Sequence, residues 1–163
     1  MILDNFLTLC GSVSAAGVVS GQAMNGAGSI LSVNTVDLGP LTIGGNQAGD
    51  TGAGEAIEAV FTVLTAPTVG TSVQFQLIQA DDAALTTNVQ VIVQTDAFPI
   101  ASLPAGTEVP LHLDRAAPYA PKRYLGARVV NVGAIATNSI FCALAKNIQD
   151  LKNLNYKSGF AVL

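Results

Sequence analysis

At 163 residues with a formal net charge of −4, the chain fits one domain, and a domain of that size buries about 70% of the surface its unfolded form exposes, so its core needs no disulfide or metal staple. Half the residues are apolar, yet there are only six Phe, three Tyr and no Trp, which leaves the core to aliphatic side chains. No apolar run reaches the ~18–20 residues that span a bilayer, the N-terminus lacks the basic segment of a secretory leader, and a net negative chain without a basic, aromatic-lined groove argues against nucleic acid.

Residues 1–28 start with apolar Ile2, Leu3, Phe6, Leu7 and Leu9 and continue rich in Gly, Ala and Ser. They read as an N-terminal arm or irregular segment. Cys10 and its distant counterpart Cys142 share no metal-ligand spacing and read as two isolated buried thiols. A first strand is predicted over residues 29–38, ending at Gly39-Pro40, because Pro cannot donate to a ladder. Residues 44–54 form a Gly-rich loop. The stretch 55–65 reads as a strand with Ile57, Ala59, Phe61 and Val63 on one face. Residues 71–80 alternate Val73, Phe75 and Leu77 against Ser72, Gln74 and Gln76, one face dry and one wet. Asp81-Asp82 mark a turn, and residues 89–95 set Val89, Val91 and Val93 against Gln90 and Gln94. Further strands follow over 107–113, 124–132 and 139–146. Seven or eight short strands with no amphipathic helix between them predict an all-β antiparallel sandwich over residues 29–146, a jelly roll by preference. Residues 147–163 form a polar, basic tail ending in Phe160-Ala161-Val162-Leu163, and an apolar end on an arm reads as a docking element.

Charge is unevenly placed. Residues 1–114 hold ten acids and no Lys or Arg, whereas residues 115–163 hold all seven basic residues and one acid. Either late strands lie beside early ones and the charges neutralise within one subunit, or a basic face built from Arg115, Lys122, Arg123 and Arg128 meets an acidic partner.

Catalytic patterns are sparse. His112 is the only histidine and alternates with Val109, Leu111 and Leu113, the place of a surface residue rather than a general base. The Gly-rich loop lacks the Gly-Lys-Ser/Thr ending of a phosphate loop and the spacing of a calcium-binding EF-hand. The expectation is no enzyme, no catalytic or metal-binding residue and no cofactor.

The opening Met1-Ile2-Leu3-Asp4, the strand end Asn34-Thr35-Val36-Asp37-Leu38-Gly39 and the segment Pro121-Lys122-Arg123-Tyr124-Leu125 together resemble the jelly-roll cement (decoration) proteins of short-tailed bacteriophage capsids. The likeness covers most of residues 1–146. It implies a virion protein on the outer surface of an HK97-type head, partnered by the major capsid protein and by itself as a dimer or trimer. Its interface candidates are Arg115, Lys122 and Arg123, with Ile2, Leu3, Phe6, Phe160 and Leu163 as docked or swapped arms. A carbohydrate-binding or adhesin-like sandwich is the alternative, weakened by the lack of Trp.

Overall fold

A computed structural model describes residues 5–39, 42–43, 46–47, 57–113 and 122–146. One 3₁₀ turn over Asn5–Leu7 leads into β1 (Thr8–Cys10), a small hairpin of β2 (Ser12–Val13) and β3 (Val19–Ser20), then β4 (Gln22–Ala23), β5 (Gly26–Leu31) and β6 (Val36–Asp37). A two-residue ribbon pairs β7 (Thr42–Ile43) with β8 (Asn46–Gln47). The longer strands follow as β9 (Ile57–Thr68), β10 (Ser72–Ala80), β11 (Gln90–Gln94), β12 (Phe98–Pro99), β13 (Glu108–Leu113), β14 (Tyr124–Ile135) and β15 (Thr137–Lys146).

Two antiparallel sheets face each other. One runs β1-β15-β9-β13, with β4 also on β15; the other runs β11-β10-β14-β5, with β12 also on β10 and β6 on β14. Strands that share a partner occupy one place, so β1 with β4 is the first place, β5 with β6 the second, and β15 the eighth. Counted in this way, the first sheet reads first, eighth, third, sixth and the second reads second, seventh, fourth, fifth. Two interlocked Greek keys give that order, and the sandwich is a jelly roll, as the sequence predicts.

The alternation that selects strands also builds the core. Ala59, Phe61 and Val63 from β9, Val73, Phe75 and Leu77 from β10, and Ala127 and Val129 from β14 are fully buried between the sheets. Phe61 and Phe75 pack with ring centroids 5.1 Å apart, and Phe98 joins at 6.2 Å from Phe75. These tilted pairs suit ring quadrupoles better than face-to-face stacking.

Four expectations need correction. The segment 1–28 is built into the sandwich from Thr8 on: β1 and β4 pair with β15, and Leu9, Cys10 and Met24 are fully buried. Cys10 and Cys142 are not isolated from each other, because they are directly opposed across β1 and β15. The strand over 29–38 is broken, with β5 and β6 separated at residues 32–35. There the Ser32 hydroxyl accepts from the Ala127 N–H and donates to the Asn34 carbonyl, while the Asn34 N–H turns to the Leu9 carbonyl. Such side-chain bonds compete with a regular ladder. Finally, the register of β10 against β11 shifts between Leu77 and Ile78, so Val93 packs on the main core while Val89 and Val91 join a second cluster around Ile78, Ala80 and Leu85. A bulge changes which face each side chain meets.

That second cluster covers part of the face expected to be wet. Leu85, from the β10–β11 connection, lies over Gly126, where a Cβ would come within 2.3 Å of it. Asp82 shapes this connection by accepting from the Thr86 and Thr87 N–H groups at 2.9 and 2.6 Å.

Candidate interaction surface

The two ends of the sandwich differ in chemistry. The registers Ser72 with Val132 and Thr68 with Thr137 place four short connections at one end: residues 24–25, 69–71, 100–107 and 136. None of these residues is Asp, Glu, Lys, Arg or His. Two exposed valines mark this end, Val69 at 66% and Val132 at 52% exposure. Val69 lies on the β9–β10 turn and Val132 on β14 beside it, where the Thr71 N–H donates to the Val132 carbonyl at 2.8 Å. Val69 has φ +60°, a conformation that costs a β-branched residue about 1–2 kcal/mol. The sequence therefore holds an apolar side chain out in solvent on a strained backbone.

The opposite end is charged. Pairing of Ala80 with Tyr124 and of Tyr124 with Asp37 brings three distant segments together there. Arg123 donates from Nε and Nη2 to the two Asp37 oxygens, each at 2.8 Å, and its guanidinium lies 5.0 Å from the Tyr124 ring centre. The Arg123 guanidinium, helped by the Gly39 N–H, holds the Asp37 carboxyl down at about 2. Lys122 Nζ donates to Asp81 Oδ1 at 2.8 Å, and Asn88 Nδ2 donates to Asp81 Oδ2 at 2.7 Å. Both contacts, the lysine's first, lower the Asp81 pKa. His112 sits exposed beside Glu58, with Nδ1 3.6 Å from the carboxylate.

Between the ends, the outer face of the second sheet carries a line of amides. Gln76 Nε2 donates to Gln74 and Gln94, and its carbonyl accepts from Arg128 Nε. Arg128 is thus half-buried among neutral groups rather than grouped with Lys122 and Arg123.

Of the interface residues read from sequence, the structure brings together Lys122 and Arg123, and both are engaged with acids of their own chain. This is the neutralisation within one subunit that the charge pattern allowed. Phe6 lies exposed on the 3₁₀ turn before β1. Arg115, Ile2, Leu3, Phe160 and Leu163 lie outside the described residues. The uncharged end was missed by sequence reading. Its signal was present as the charge-free run over residues 5–36 and the Val69-Gly70 pair after Pro67, but only the strand order shows that these connections meet.

The family model Bbp16 matches residues 18–144, a span that runs from the β2–β3 hairpin almost to the end of β15. No curated protein matches the chain.

Proposed function

Because this chain belongs to the Bbp16 family, a family of phage proteins, we propose that it is a structural component of the phage particle, and specifically a decoration protein on the outer surface of an HK97-type head that bridges neighbouring capsomers. The family match over residues 18–144 supports the phage part of this reading, and the likeness of residues 34–39 and 121–125 to cement proteins supports the decoration part. The jelly roll supports it as a stiff scaffold with connections at both ends, although a fold by itself assigns no function. In this reading the protein performs no catalysis, and its partners are the major capsid protein and further copies of itself in a closed dimer or trimer.

We assign the shell-facing role to the uncharged end. Lys122 and Arg123 are already satisfied by Asp81 and Asp37, so little of their charge is left for a partner. Val69 and Val132 are solvent-exposed apolar side chains that gain by being covered.

Purified protein mixed with expanded, undecorated capsids and imaged should appear as ordered density on the outer surface. Particles that remain bare across a range of protein concentrations would overturn the decoration reading.

A further inference from the structure

Among the described residues six polar ones are buried, and two of them, Asn131 and Asn138, keep side-chain atoms without a hydrogen bond. Asn131 Oδ1, Asn138 Oδ1 and Asn138 Nδ2 are all removed from solvent and unpaired. The two residues come from opposite sheets. Asn131 on β14 continues the inward row of Ala127 and Val129, and Asn138 on β15 continues the inward row of Cys142 and Ile140. The backbone of Met24 runs between them. Its N–H donates to the Asn138 carbonyl at 2.8 Å, and Asn131 Nδ2 donates to the Met24 and Gly26 carbonyls at 2.9 and 3.0 Å.

The backbone ladder beside Asn138 is irregular. Thr137 pairs with Thr68 and Ser139 with Thr65, so Ala66 and Pro67 stand opposite one residue. Pro67 has no N–H to give, and the Ala66 carbonyl accepts from the Thr137 hydroxyl. Unpaired buried amides are uncommon because each loses its hydration without compensation. Three such atoms around one backbone crossing call for a guest.

The atoms define that guest. Two carbonyl oxygens ask for donors, and one amide nitrogen with its two N–H groups asks for acceptors. A cation serves the oxygens and is repelled by the N–H groups, an anion does the reverse, and the connections at this end supply no charge to neutralise either. Water donates twice and accepts, and buried waters typically make about three hydrogen bonds. We propose that Asn131 and Asn138 hold an internal water molecule that links the two sheets beneath the uncharged end. This inference does not depend on the decoration reading.

The test combines a crystal structure that orders internal water with water-to-amide nuclear Overhauser measurements on isotope-labelled protein. Wild type should show one water within about 2.7–3.2 Å of Asn131 Oδ1 and of the Asn138 amide, with a long-lived water signal at the Asn138 side-chain N–H. Asn138→Leu should lose both. If that variant does not fold, Asn138→Ser keeps a polar partner with more room and should retain a long-lived water beside Asn131. Direct Asn131–Asn138 bonding without water, a coordinated cation, or no long-lived water in either wild type or Asn138→Ser would overturn the proposal.

Discussion

Asp37 shows how a single surface carboxylate reports on the assembly of the sandwich. It is held by Arg123 from 86 positions away, so its ion pair exists only when β6 and β14 are paired. Its folded pKa, about 2, lies below the ordinary 3.8. A depressed carboxylate contributes stability that is present above the unfolded pKa and is lost as pH falls through the folded one. The melting temperature of wild type should therefore exceed that of Asp37→Asn above about pH 4, and the gap should close as pH approaches about 2. A gap that stays constant down to pH 2 would mean that the pair adds nothing in solution, as many exposed pairs do. Val69 makes the opposite test. Replacing it with Asn, which tolerates positive φ, should raise stability by about 1 kcal/mol in denaturant titration. No gain would show that the turn relaxes in solution.

At the scale of elements, β1 decides whether the N-terminal segment is an arm or part of the fold. Leu9 and Cys10 are fully buried, and β1 is the edge strand that covers β15. Burial first, and then the Cys10 thiol opposite, push the Cys142 thiol well above its ordinary pKa, which keeps it protonated and unreactive. Neither cysteine should react with a thiol-specific reagent in the folded protein, and both should react after denaturation. Fast labelling of either one under native conditions would mean that β1 opens readily. The long strands were legible because β13 alternates strictly and β9, β10 and β14 each carry one continuous inward apolar row, even where their second face is also covered. β1 and β4 were not, since strands of three and two residues are too short to show a period. The break at Ser32 to Asn34 and the bulge opposite Ile78 were hidden for another reason: both come from side-chain and register choices made only after strands meet.

At the scale of the whole molecule, the charge asymmetry along the chain becomes an asymmetry between ends. The sequence showed acids early and bases late, and it left open whether they cancel internally or face a partner. Antiparallel pairing decides the case of Lys122 and Arg123, because β14 begins beside β6 and beside the end of β10, where Asp37 and Asp81 lie. What remains at the other end is a set of connections without charge, flanked by Glu108 at the start of β13, that presents Val69 and Val132. If that end meets the shell, attachment rests on burial of apolar surface and is insensitive to salt. Occupancy on capsids should then hold from low salt to about 1 M, where the screening length is about 3 Å. Val69→Asp should weaken binding at least about tenfold, equivalent to 1.4 kcal/mol, because a carboxylate would lose its hydration against an uncharged surface. Arg123→Glu should lower the melting temperature by setting two acids side by side, yet leave occupancy at saturating protein nearly unchanged. The reverse pattern, occupancy that falls steeply with salt and is lost in Arg123→Glu while Val69→Asp binds normally, would show that the charged end docks instead. Loss of binding in neither variant would place the contact on the sides of the sandwich, where Arg128 and its line of glutamines are the next surface to alter.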